Sequence, residues 1–487
     1  MLSPRSKPTV RRLAHGALLP ALVASACAMP LQAADLLTIT RDALLNNAEL
    51  AAARSTFGVV RAGRDIEQAD LLPQIGASGN VTHNRQYESQ SNGGGDFASG
   101  GTGAGDDRYN SVGLTLEASQ ALFDARNRRE VERSEREIDQ EVYRLAATEQ
   151  QVLIDVAGAY FEILRAYEIL EARRAQERAI GRQLEQAREQ FEVGLIAITE
   201  VEEAQASFDQ SRAERIAAES SLQVNFEALE RLTGQRYQSI ESLQEELPVE
   251  PPTPNSRDQW VAMAMENNPL VLAQQAGVEV SRSGVDISQA DRLPTLEAFA
   301  NYQYSDIDSD LVSGHGSSSQ VGLGVNLPLY TGGRTSAGIR QSTFQLESSQ
   351  YDFEAQRRDT VQQVRSLFTQ VSNDVSTVEA RAQAIVSNQS ALDATRAGYE
   401  VGTRNIVDVL NAEQNLFSAI ADYAEARYDY VVNLLSLRQQ AGTLDVPAIE
   451  EVNELLEGES VSFVLPDGAE PGRYDEAMEI GEPPSPR

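Results

Sequence analysis

Residues 61–73 read RAGRDIEQADLLP and residues 282–294 read RSGVDISQADRLP, identical at nine of thirteen positions and offset by 221 residues. A second match, FEVGLIAITEVEEAQ at 191–205 against YEVGTRNIVDVLNAE at 399–413, lies at an offset of 208. Short solenoid repeats have periods of about 20–50 residues, so this duplication is of another kind. Two copies of one large unit sit side by side, and one reading must serve both.

Each unit opens with a helix, expected over residues 39–72 in the first and 256–293 in the second. Pro73 and Pro294 stop it, because proline lacks a backbone donor and disfavours helix at the preceding residue. The hydrophobic period then changes from 3.6 to 2. Val112, Leu114 and Leu116 alternate with Gly113, Thr115 and Glu117, and Val321, Leu323, Val325, Leu327 and Leu329 with Gly322, Gly324, Asn326 and Pro328. Residues 75–83 and 296–304 are the weaker partners of each pair. Such alternation fits a membrane-barrel strand and equally a half-buried strand in a soluble sheet. The segments joining the pairs, 86–108 and 306–320, are rich in Gly, Ser and Asp and read as outer loops.

Long helices follow. Residues 125–191 contain no proline and only Gly158 and Gly181, and 335–401 repeat the arrangement. A helix of that length spans about 100 Å. It cannot bury a globular core and is expected to pack along its neighbours as a coiled coil or tube. Shorter helices are expected at 198–233 and 406–441.

The N-terminal segment 1–34 reads as a secretory signal: Arg5, Lys7, Arg11 and Arg12 precede a short apolar stretch and a small-residue site at Ala33-Ala34. Cys27, the one cysteine, lies within it. Ala24 stands where a lipobox usually carries leucine, so a cleaved signal is expected and a lipidated terminus is the alternative. Without the signal the chain has no thiol chemistry, and its formal charge moves from −32 to −36. That acidity argues against nucleic acid or anionic lipid as partners. No later run of about eighteen apolar residues is present, which excludes membrane-spanning helices but not a barrel. The organisation is therefore signal 1–34, repeat one 35–233, linker 234–255, repeat two 256–444, and an acidic tail 445–487, expected to be partly disordered.

Two strands per repeat give four per chain, whereas membrane barrels need about eight or more. Open strand edges do not survive in lipid. If these are membrane strands, several chains must share one barrel. The strand pattern alone does not choose between two, three or four.

The duplicated order of helix, strand pair and long helical hairpin resembles the TolC family of outer-membrane efflux and export channels, over residues 38–444. The resemblance is carried by Leu72-Pro73 and Leu293-Pro294, by LPLYTGGR at 327–334, and by FEVGLIAIT at 191–199 with YEVGTRNIVDVL at 399–410. It implies a mainly α fold with a β-barrel part: a long helical tunnel in the periplasm and four membrane strands per chain, the barrel completed in a homotrimer in the outer membrane. It further implies a passive exit route for drugs or secreted proteins, delivered by an inner-membrane pump through a periplasmic adaptor. The rival reading is a coiled-coil scaffold or surface fibre without a pore.

The resemblance also implies site residues. Gly194, Leu195, Gly402 and Thr403 fall at hairpin tips that would close the tunnel and meet the adaptor, although a glycine there is also a plain turn. Tyr399 and Arg404 match gating positions, with Thr199 and Glu200 aligned to their partners; Arg404 as an ordinary solvated charge is the alternative. Asp408 matches an acidic constriction ring, while Asn405 and Asp408 also have the spacing of a capping box. The family's second acidic ring falls on Asn411, so weaker cation selectivity is expected than in members with two rings. Phe123 and Tyr330 read either as an aromatic girdle or as packing residues. His83, at a strand end, and His315, in an outer loop, have no close second ligand. No metal, cofactor or enzymatic motif is expected.

Overall fold

The computed structural model describes residues 33–86, 107–244, 248–308, 313–454, 456 and 460–462. Residues 1–32 of the signal, with Cys27, the middle of the first outer loop and the tail beyond residue 462 lie outside the described residues.

The first repeat runs α1 (Leu36–Asn46), α2 (Ala48–Ala69), β1 (Gln74–Gln86), β2 (Asp107–Phe123), α3 (Ala125–Glu192) and α4 (Ile198–Thr233). After a connecting strand β3 (Ser239–Glu241), the second runs α5 (Arg257–Asn267), α6 (Pro269–Ala290), β4 (Thr295–Asp308), β5 (Ser313–Asn326), α7 (Arg334–Glu400) and α8 (Ile406–Gln440). Helix α9 (Val446–Asn453) and strand β6 (Ser460–Ser462) follow, and β6 pairs antiparallel with β3. A stretch of linker is thus tied to a stretch of the C-terminal segment.

The opening helix of each repeat is two helices, which corrects the continuous spans expected at 39–72 and 256–293. The break falls at Asn47 and at Asn268, related by the same offset of 221 residues. Both are extended (ψ 123° and 118°) and both are buried. Asn47 Oδ1 accepts the Leu50 amide at 3.0 Å while its Nδ2 donates to the Leu232 carbonyl at 3.0 Å. Asn268 Oδ1 accepts from Leu270 and Val271, and its Nδ2 donates to the Gln440 carbonyl at 2.9 Å. One side chain therefore caps the start of one helix and the end of another.

The four long strands form one antiparallel sheet in the order β1-β2-β4-β5. Strand β5 starts earlier and ends sooner than the alternation implied. Ser317, Ser318 and Ser319, read as loop, pair with Tyr304, Gln303 and Tyr302, and His315 lies within the strand opposite Asp306. Leu327 and Leu329 fall beyond it, because Pro328 cannot donate to a ladder.

The register places Ile75, Ala77 and Val81 of β1 on one face with Val112, Leu114 and Leu116 of β2, Leu296, Ala298, Ala300, Tyr302 and Tyr304 of β4, and Val321, Leu323 and Val325 of β5. The other face carries Ser78, Asn80, Thr82, Thr115, Glu117, Asn301, Gln303, Ser318 and Gln320. Val321, Leu323 and Val325 are 68–83% exposed. The apolar band cuts obliquely across the hydrogen-bonded rungs: Val81 opposes Val112, but that row continues to Asp306 and His315. A band level with a membrane does this when strands tilt by about 35–45°, as in closed barrels.

Helix α3 packs along α2, α4, α6 and α8, and α7 along α6 and α8. The middle of α3 does enter a compact core, contrary to the expectation for so long a helix. Val152–Leu170 supplies Tyr160, Phe161, Ile163 and Leu164, which pack with Leu36, Ile39, Trp260, Tyr428, Leu435 and Ile449. The short helices α1, α5 and α9 wrap this level and provide the layers that α3 alone lacks. Tyr160 donates to the Glu241 carbonyl at 2.5 Å, and burial pushes its phenol far above the usual range.

Candidate gate at the helical-hairpin tips

Helix α3 starts one residue after Asp124, which follows the sheet, and continues for 68 residues. Its far end therefore lies about 100 Å from the strands. There the chain turns twice by the same device. Gly194 (φ 78°) donates to the Phe191 carbonyl at 2.9 Å and Leu195 to Gln190 at 2.8 Å. Gly402 (φ 77°) donates to Tyr399 at 3.0 Å and Thr403 to Gly398 at 2.9 Å. These pairs satisfy the last carbonyls of α3 and α7, and the left-handed residue between them favours glycine. Gly402→Val is expected to destabilise the tip by about 1–2 kcal/mol through its positive φ, read as faster proteolysis at 398–406 with the rest of the chain protected.

The two hairpins meet through an apolar cluster of Ile180, Leu184 and Ala187 of α3, Val201 and Ala204 of α4, and Ile406 and Leu410 of α8. Tyr399 packs against it, and its hydroxyl donates to Gln190 Oε1 at 2.8 Å. Burial and the nearby Glu200 carboxylate raise the Tyr399 phenol above its usual range. Tyr399 and Glu200 are thus brought together, with Gln190 as a partner that the sequence reading missed. Its signal is faint, being one neutral amide in a charged helix.

Arg404 folds back over the end of α7. A Cβ at Gly398 would stand 2.8 Å from Arg404 Cγ, so glycine leaves room for this course. Within the chain Arg404 Nη1 faces Asp408 Oδ2 at 3.8 Å, with both side chains open to solvent. An exposed pair of this kind is worth about 0–1 kcal/mol. Thr199 is exposed in the first turn of α4, and the chain pairs Arg404 with Asp408 rather than with Thr199 or Glu200. Asp408 completes a capping box: its amide donates to Asn405 Oδ1 at 2.8 Å and its Oδ2 accepts from the Asn405 amide at 3.3 Å. Asn411, on the same helix, is exposed.

A second residue missed from sequence is Glu413. It is fully buried at 0% exposure and ion-paired to Arg396 at 2.7 Å. Its signal was present, an acid in line with the apolar stripe Ile406, Val409, Leu410 and Leu416 of α8.

The geometry is a sheet with one apolar and one polar face, joined by very long helices to paired tips. Comparison with known proteins gives the same architecture a family. The profile of the outer membrane efflux protein family matches residues 39–235 and 260–443. The chain is 36% identical over 347 residues to the outer membrane protein TolC of Vibrio cholerae serotype O1, covering 70% of this chain and 79% of that protein. It is 32% identical over 417 residues to the alkaline protease secretion protein AprF of Pseudomonas aeruginosa, covering 84% and 85%. The crystal structure of the outer membrane protein VceC of Vibrio cholerae superposes with a TM-score of 0.68 at 20% identity, over 84% of this chain and 96% of that one. In sequence and in fold alike, this chain belongs to the outer membrane efflux protein family.

Proposed function

We propose that three copies of this chain form one exit duct, closed at rest by the hairpin tips and opened when a periplasmic adaptor and an inner-membrane pump engage them. The protein is an outer-membrane channel for efflux or protein secretion, as its family membership gives. The observation that carries the oligomer is the sheet. It has four strands with unpaired edges at β1 and β5, and its lipid-type face is apolar while the other is polar. Three such sheets joined edge to edge make a twelve-stranded barrel without open edges, the condition for survival in lipid. The polar face then lines water. A coiled-coil fibre has no use for a continuous apolar face on its sheet.

At the tip, Arg404 is the latch we assign between chains. Its weak partner within the chain leaves it free to meet Thr199 and Glu200 of a neighbouring hairpin. Asp408, brought together three times on the axis, attracts cations, and its capping bonds hold the carboxylate in place. Gly194, Leu195, Gly402 and Thr403 present the surface for the adaptor. Phe123, beneath the Arg128 guanidinium at 5.6 Å, and Tyr330, 90% exposed, mark the lower edge of the membrane band. The chain's role is to conduct, gate and dock, with energy supplied by the pump.

The test is single-channel recording from detergent-purified protein in a planar lipid bilayer. A small, cation-preferring conductance is expected, and Arg404→Ser should raise it severalfold. Equal conductance in the two proteins would move the latch elsewhere. Absence of current from a folded, membrane-derived oligomer would refute the duct.

A further inference from the structure

The inward stripe of α8 recurs at Ile406, Val409, Leu410, Glu413 and Leu416, the three-and-four spacing of a helix face. Four of the five are apolar. Along α8, Glu413 falls one turn after Leu410, which clusters with Ile180 and Leu184, and one turn before Leu416, which clusters with Leu392 and Val409. Arg396 of α7 reaches its Oε1 with Nη2 at 2.7 Å, and Gln183 of α3 donates Nε2 to the same oxygen at 3.4 Å. The carboxylate therefore stands where the second hairpin meets the first. Its other oxygen, Oε2, and the Arg396 Nε are buried without a hydrogen-bond partner. At the repeat-related position, Gln205 accepts from Arg188. At this position the first hairpin has a neutral amide where the second has a buried carboxylate.

We propose that the Glu413–Arg396 pair loads the closed tip toward opening, as a counterweight to the apolar cluster that closes it. This rests on the reading of the tip as the gate. A carboxylate buried in an ion pair offsets its own desolvation only when its hydrogen bonding is complete, and replacing a buried pair by apolar side chains is often stabilising. Glu413 carries that cost, being 0% exposed, while Arg396 keeps 40% of its side chain in water. Here one carboxylate oxygen and one guanidinium nitrogen remain unmatched. Moving α8 away from α3 admits water to both. The leucine and isoleucine layers gain nothing from the same motion. The two tendencies oppose each other in one interface, so the closed state lies only a little below the open one. A partner that binds the open form even modestly better then shifts the population. The mechanism is distinct from a latch, and opposite in sign: removing a latch opens the tip, whereas removing this pair closes it further.

The experiment compares the full-length oligomer in planar bilayers as wild type, as the double variant Arg396→Leu/Glu413→Leu, and as Glu413→Gln. The double variant is expected to open about tenfold less often, with its thermal midpoint unchanged or raised. Glu413→Gln should shift opening in the same direction, because Arg396, 40% exposed, can turn to solvent once the carboxylate is gone. It decides the matter if the double variant does not assemble. Unchanged or more frequent opening overturns the proposal, since the pair would then be a bystander or a clasp. Arg404→Ser, recorded in parallel, tests the gate itself. If it behaves as wild type, the latch assignment fails, while the effect of the Glu413 variants is still read from their own opening frequencies.

Discussion

Leu323→Arg is expected to deplete the protein from the outer membrane, whereas Gln320→Arg, three residues away on the same strand, is expected to be tolerated. Leu323 sits near the middle of the apolar face of β5, between Val321 and Val325, and opposes Ala298 of β4. An arginine at the midplane of a barrel's lipid face costs about 2–4 kcal/mol. In a homotrimer the charge enters three times, so the penalty is about 6–12 kcal/mol per barrel by the same scale. That is comparable to the whole stability of a folded domain, about 5–15 kcal/mol. Gln320 lies on the opposite face with Ser318 and Asn301, where a barrel holds water. The measurement is the amount of heat-modifiable oligomer in outer-membrane fractions, with total expression matched. Normal recovery of Leu323→Arg would mean that this face does not meet lipid. Equal loss of both variants would mean that the strand resists any charge, as an ordinary packed sheet does.

The same strand shows what periodicity can carry. The alternation from Val321 to Val325 assigned the face correctly, because a one-residue slip would invert every side chain. It ran too far at Leu327 and Leu329, since alternation persists where Pro328 has already ended the ladder. It stopped short at the other end, where serine and glycine gave no apolar signal and the pairing comes from tyrosines on β4. The long helices were the most legible elements. The sequence implies a helix over 125–191 and the structure has Ala125–Glu192, because nothing in that stretch interrupts a helix and Gly194 ends it. The core at mid-height was not legible. Tyr160 shares its core cluster with Leu36, Trp260 and Ile449, which lie far away in the chain and on short helices whose arrangement no local pattern encodes.

The tips divide in a similar way. Tyr399 and Arg404 are singled out by a long match to a family, which supplies residues without their local partners. Gln190 and Gly398 shape the surroundings of those two side chains, and neither has a chemistry that draws attention. Glu413 could have been found from physics alone, because an acid inside an apolar stripe must be paired or raised in energy. A missed signal of that kind differs from an absent one.

Asn47→Ala is expected to lower the stability of the chain by about 1.5–5 kcal/mol, the sum of two separate losses. Loss of an N-cap costs about 0.5–2 kcal/mol. The Leu232 carbonyl, buried at the end of α4, also loses its donor, which adds about 1–3 kcal/mol. Asn268→Ala follows the same reasoning with a smaller second part, because its bond to Gln440 is only partly buried and Pro269 still favours the helix start. Asn47→Asp separates the two contributions. Aspartate is as good an N-cap as asparagine, so a plain cap would tolerate it. If the side chain joins two helices, as the paired bonds to Leu50 and Leu232 imply, aspartate sets a carboxylate oxygen against a buried carbonyl. It should then be at least as harmful as alanine. Unfolding midpoints of the purified protein in detergent decide this: an Asp variant equal to wild type would reduce Asn47 to a cap. A loss matching or exceeding that of alanine would make the residue the joint that holds the entry helix of each repeat against the end of its hairpin. The second repeat offers an internal replicate, since Asn268→Asp must then fail for the same reason.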